Sequence, residues 1–491
     1  MFLHGSALVA GGGLATLAAL DRLRARAARA AAGGSLITSG YGPLAPVAPA
    51  NDPTGFAVLA LPGGFRYVKL SAIGEPMSDG NRVPVNLDGM AAFAHPTDAR
   101  LVRLIRNHED RAQPTLGSVL GPAATRYDAN GRGGTTTLDY DESTRTLVRH
   151  YISLNGTIVN CAGGVGYGRR SYLTCEETTA SAGDGLAPGW TKNHGYVFEV
   201  PLPLRPNTTA PAVPIRALGR FAHEAAAVDQ HTGMVYLTED AGPGVGSGFY
   251  RFAPRDPTHL LAGGRLQMLG LRNKPQYDAR EGQRLHQSSS VVWHDIANPD
   301  PADASNGSPD RVFEQGSDRG GATFTRLEGC WWDGGRVFFA ATTGGDAKNG
   351  NVDIDGFEEG CGQIWEYRVG GAPDGELRLV FESPGPNVLD SPDNLAITPR
   401  GSLILCEDDA RSKDRDTHPL APGIENVNRL IGVTRQGQAF EFAVNRLNNS
   451  EFAGACFSPS GQTLFVNIFG TGTPASGMTL AIAGPWGHEL L

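Results

Sequence analysis

The chain has 491 residues, a formal net charge of −9 and 66 glycines. A chain of that length buries a large core, and a single closed all-β fold accommodates it as readily as several domains do. The acidic balance argues against a nucleic-acid partner, the glycine share fits many tight turns, and six widely spaced cysteines without a CxxC pair speak against a disulfide framework.

Residues 1–35 differ from the rest. A weakly apolar Gly/Ala stretch from Phe2 to Leu20 is followed by a basic Ala/Arg run from Arg22 to Arg29. It is marginal as a spanning helix, so no stable membrane insertion is expected. It reads either as an amphipathic helical tail or as the body of a twin-arginine export signal whose arginines would lie upstream of Met1. The second reading places the protein in the periplasm or outside the cell, with the twin-arginine machinery as a partner. Residues 36–54 contain several prolines and are expected to form a linker, and residues 55–491 a single domain.

One phrase recurs six times in that domain. An acid or amide leads, small or apolar residues follow, and a turn gives way to an apolar β-run that often ends in a second acid. The copies begin at Asp88, Asn160, Glu224, Glu328, Asp393 and Gly454. Fifteen residues separate Glu224 from Glu239 and Asn160 from Cys175, and fourteen separate Asp393 from Glu407. Further β-like stretches, such as 195–200 and 363–368, would supply outer strands. Six such sheets set radially make an all-β, six-bladed β-propeller whose leading residues face a central channel with a metal site. A β-sandwich with coincidental spacing is the competing fold.

The candidate chemistry lies in the acids. Asp88, Glu224, Glu328 and Asp393 occupy leading positions. Cys175-Glu176-Glu177, Glu239-Asp240 and Glu407-Asp408-Asp409 occupy the second. Carboxylates that converge raise each other's pKa, and multivalent cations relieve the repulsion. Oxygen ligands suit Ca²⁺, Mg²⁺ or Fe³⁺. For any one acid, a solvated loop carboxylate is the plain alternative. Cys175 is either a thiolate ligand or a buried structural cysteine. Arg326, two residues before Glu328 and on the same strand face, either grips a substrate anion or neutralises the acids. His108 and His223 read as hydrogen-bonded core histidines. The run 353–359 resembles half of a calcium loop, but without the full EF-hand pattern it is expected to be a surface acidic loop.

The segments Asn160-Cys-Ala-Gly-Gly164, Leu173-Thr-Cys-Glu-Glu177, Phe221-Ala-His-Glu-Ala225, Arg326-Leu-Glu-Gly329, Ser391-Pro-Asp-Asn394 and Phe457-Ser-Pro-Ser-Gly461 together resemble the PhoX-type alkaline phosphatases. The resemblance covers most of residues 55–486. It implies an exported six-bladed propeller that hydrolyses small-molecule phosphate esters with a centre of Fe³⁺ and Ca²⁺ ions joined by an oxo group. A monomer is expected. By motif, Cys175, Glu176, Glu224, Glu328 and Asp393 would be metal ligands, and Arg326 and Asn160 would contact phosphate. Glu239 and Glu407 are added as calcium ligands on repeat position. Two features depart from the family: Thr325 stands where a lysine is usual, and 468–472 lacks the usual Gln and Pro. The rival readings are a calcium-dependent propeller hydrolase of lactones or other carbon esters, and a non-catalytic calcium-binding propeller.

Overall fold

The structure, a computed structural model, describes residues 40–110, 117–185, 189–409, 413 and 415–486. The export-signal-like segment 1–35 lies outside the described residues.

The six repeats fold as six blades. Their innermost strands are Leu87–Ala94, Asn160–Val165, His223–Val228, Leu327–Asp333, Pro392–Ile397 and Phe452–Phe457. Each touches the next, and the sixth touches the first, so the ring closes. Every inner strand pairs antiparallel with the strand that follows it in the chain. Blade 6 is completed by Arg66–Ala72, which pairs with Met478–Ala483 and so ties the two ends of the domain together. Leu44–Val47, inside the stretch expected to be a linker, is a strand: it pairs with Leu59–Pro62, which extends the outer edge of blade 5.

Each gap between neighbouring blades is filled by one apolar cluster. Tyr172, Phe198 and Phe93 fill the seam between blades 1 and 2. Leu173, Val197 and Leu237 fill that between blades 2 and 3. Four further clusters fill the remaining seams. Strands buried on both faces therefore carry apolar residues at odd and even positions alike, as in 171–176, whose six residues are all buried. All six cysteines are buried, and none is in a disulfide.

Every inner strand carries the same irregularity. Its register slips by one residue just inside its start, at Asp88-Gly89, Cys161-Ala162, Glu224-Ala225, Glu328-Gly329, Asp393-Asn394 and Gly454-Ala455. A bulge re-aims a side chain and bends the strand. Six bulges at one height turn the leading side chains towards the axis. The approach there is tight: a Cβ on Gly89 would lie 2.5 Å from the Ala162 Cα. One on Gly454, where φ is +62°, would lie 2.5 Å from the Asp88 carbonyl oxygen.

Candidate metal centre

The bulges bring Cys161, Glu224, Glu328 and Asp393 to the channel, where Asp88, Cys161, Glu328 and Asp393 line a cavity of about 330 Å³. The blade 2 frame is one residue later than the sequence suggests. Cys161, not Asn160, is the structural equivalent of Glu224, and Glu176 then stands fifteen residues on. The second strands end at the same rim and add Glu109, Glu177 and Asp408, and the loop before blade 6 adds Glu451. Arg326 is the one cation among the described residues lining this cavity.

Potential ligand atoms gather in three linked groups, each spanning at most 4.8 Å: Cys161, Glu177 and Glu224; Glu224, Glu328 and Asp393; Asp393, Asp408 and Glu451. Glu224 and Asp393 each belong to two groups. Glu224 is fully buried, yet neither of its carboxylate oxygens has a hydrogen-bond partner. One oxygen of Asp88 is equally bare. Buried carboxylates without partners carry a large desolvation cost unless a cation meets them.

The protonation behaviour agrees. Burial, and then Glu328 and Asp393, drive Glu224 well above the usual carboxylate range. Burial and Asp240 do the same to Glu328, and burial with Asp408 to Glu451. Asp393 is pushed up to about 7 by burial and Asp408. Burial and Asp88 push the Cys161 thiol up, so its thiolate needs a neighbouring positive charge. Asp240 goes the other way: burial raises it, but the Arg326 guanidinium outweighs burial and holds it below the usual range.

Arg326 enters blade 4 with a φ of +38°, left-handed and unfavourable for a side chain of its size. Its Nη2 donates to Asp240 Oδ2 at 3.0 Å and Glu328 Oε1 at 3.0 Å, and its Nε to Asp240 at 3.3 Å. Nη1 takes no part in these bonds. Thr325, at the position where the resemblance implies a lysine, is buried and hydrogen-bonded to Thr343 at 2.9 Å.

Five residues singled out in the sequence are placed elsewhere. Cys175 packs among Leu173, Val197 and Leu237 in the seam between blades 2 and 3. Asn160 is spent in a buried chain, accepting from Thr157 at 2.6 Å and donating to Thr174 at 2.8 Å. Glu176 accepts from His194 at 2.7 Å and from three backbone amides. Glu239 pairs with Arg311 at 2.9 Å and accepts from Tyr250 at 2.6 Å. Glu407 pairs with Arg429 at 2.7 Å. The last three are opposite the residue before each bulge, and their carboxylates knit the blade. Successive strand side chains point to opposite faces, so the next residues, Glu177, Asp240 and Asp408, reach the channel side. His108 and His223 are buried and hydrogen-bonded to the carbonyls of Val85 and Gly219, as core histidines.

The six bulged blades form a propeller whose channel gathers buried acids, a thiol and one arginine, a set of potential cation ligands. A family described as "Alkaline phosphatase PhoX" matches residues 39–150 and 142–472. The chain belongs to the PhoX family of alkaline phosphatases, and is a hydrolase of the phosphatase class. Among solved structures it is similar to Pseudomonas fluorescens PhoX in complex with vanadate, a transition state analogue. That match has a TM-score of 0.63 at 21% identity, over 90% of this chain and 97% of the other. Weaker similarity, at a TM-score of 0.39 and 12% identity over 90% and 98%, is found to the gluconolactonase XC5397 of Xanthomonas campestris. No curated protein matches the chain. Among the described residues, no helix is long and apolar enough to cross a membrane.

Proposed function

We propose that the chain hydrolyses phosphate monoesters at the mouth of its channel, with ferric and calcium ions held by the linked acidic groups. The observation that carries this reading is Glu224: a fully buried carboxylate, bare on both oxygens, shared by two groups of potential ligands. The donor sets fit two kinds of metal. Cys161 with Glu177 and Glu224 offers mixed sulfur and oxygen ligation suited to iron, and Asp393 with Asp408 and Glu451 offers the all-oxygen set that calcium takes. Cys161 thus takes the ligand role that the family motif first suggested for Cys175. Bound ions of this kind supply Lewis-acid neutralisation of phosphate oxygens.

The chain's own contribution centres on Arg326. Asp240 and Glu328 hold its guanidinium at the cavity wall and keep it charged, since their attraction outweighs the burial that would lower its pKa. Its Nη1, which takes no part in those bonds, is left to donate to a phosphate oxygen and to stabilise the charge that develops there in the transition state. With Thr325 committed to Thr343, no second cationic side chain supports it from the preceding position. Export by the twin-arginine route and a periplasmic location belong to the same reading, supported by residues 1–35 and the family.

Steady-state hydrolysis of an aryl phosphate by Arg326→Ala tests the proposal. Loss of one preorganised charge contact predicts a fall in kcat/KM of about 10²–10³, with bound metal unchanged. A variant as fast as the parent would contradict it.

A further inference from the structure

The acidic run 353–359 lies largely at the surface, as its composition suggests, but two of its carboxylates, Asp353 and Glu359, are buried. It closes a two-stranded hairpin, Lys348–Val352 against Glu358–Gly360, inserted between the second and third strands of blade 4. Asp353 at its turn is 7% exposed, and neither carboxylate oxygen has a hydrogen-bond partner of acceptable geometry. The groups facing it are the Glu359 carboxylate, Asp355 and the Gly244 backbone amide. Glu359 is equally buried and accepts from Asn349 Nδ2 at 3.2 Å. Asp355 is occupied, taking the guanidinium of Arg280 at 2.6 Å. Two buried carboxylates therefore lie side by side, and only the Gly244 amide faces Asp353 as a donor from the backbone.

We infer that this hairpin is a second, structural calcium site, separate from the channel, with Asp353 and Glu359 as its carboxylate ligands. The ligand chemistry is that of a hard divalent cation: carboxylate oxygens and two negative charges. Burial and Glu359 raise Asp353 to about 7, as an unrelieved pair requires. The site also has a structural task. A Cβ on Gly244 would lie 2.8 Å from the Ile354 nitrogen, so the hairpin turn packs directly on the loop that follows Asp240, the partner of Arg326. A cation at Asp353 would pin the hairpin against that loop. Ile354, 92% exposed at the tip, offers no apolar anchor of its own.

The test is amide hydrogen exchange of the full-length, metal-loaded protein, with calcium added or withheld. Opening of a turn that must release its cation slows by about a hundredfold when calcium stands at a hundred times its Kd. The inference expects that protection across 349–359 in the parent, its loss in Asp353→Asn and Glu359→Gln, and one fewer calcium per chain in each, with iron content unchanged. The channel variant Glu224→Gln should retain hairpin protection, which separates this site from the proposed catalytic centre. Calcium-independent exchange of 349–359 in the parent would overturn the inference. So would Asp353→Asn with parental calcium content and protection. A variant that fails to fold leaves the parent's exchange as the deciding measurement.

Discussion

Glu407 pairs with Arg429 inside blade 5, and Asp408, one residue on, lines the channel. The two acids should answer mutation in opposite ways. Glu407→Gln breaks a fully buried ion pair and is expected to cost about 3–5 kcal/mol of stability, while the folded protein keeps its metals. Asp408→Asn is expected to lower calcium content and phosphatase activity, with a far smaller loss of melting temperature. Thermal melts beside elemental analysis read both. The cysteines divide in the same manner. Cys161→Ser should lose iron. Cys175→Ser should keep iron and activity and lose about 1–3 kcal/mol, because a hydroxyl replaces a thiol in an apolar seam. Iron retained in Cys161→Ser, or lost only in Cys175→Ser, would reverse the assignment.

At the scale of the strand, the bulge explains both what was legible and what was not. Glu224, Glu328 and Asp393 were readable because they stand at matched positions in the repeated phrase, and Arg326 because it stands two residues before Glu328 on one strand face. The second positions were readable only as pairs. Glu176-Glu177, Glu239-Asp240 and Glu407-Asp408 each offer two acids, and a one-residue slip exchanges the faces they point to. Parity is settled by cross-strand partners, His194, Arg311 and Arg429, which lie 18, 72 and 22 residues away. The same slip exchanged Asn160 for Cys161. Glu109 and Glu451 carry a weaker signal, because the first lies beyond the apolar run 101–106 of its copy and the second precedes the copy that begins at Gly454. Bulge geometry also predicts that Gly454→Ala is destabilising, since φ is +62° and the new methyl would press on the Asp88 carbonyl. A drop in melting temperature with loss of metal is expected, Asp88 being displaced from the channel wall.

At the scale of the whole molecule, the propeller was legible because each blade repeats its apolar phrase, and six equivalent seams follow from it. The strand Leu44–Val47 was not legible, because Pro46 within it and Pro43 and Pro49 beside it mimic a linker, and an outer edge tolerates a proline. Packing so many acids at one axis has a consequence for pH. Asp393, with a folded pKa near 7 against an ordinary value near 4, stays protonated in the metal-free native state while the unfolded chain ionises. A raised carboxyl pKa means that the native state binds the extra proton, so its contribution to stability falls as pH rises from about 4 to about 7. Glu224, Glu328 and Glu451 shift in the same direction. Chelated protein should therefore lose channel stability across that window, and reloaded protein should regain it at neutral pH. Melting curves at several pH values, with and without metal, read the difference.

Elemental analysis joined to an aryl phosphate assay, on the parent and on Glu224→Gln, tests the central claim most directly. The account predicts iron and calcium in the active parent, and joint loss of metal and hydrolysis when the carboxylate shared by two ligand groups is neutralised. Full activity in Glu224→Gln, or in a parent verified to be free of metal, would contradict it.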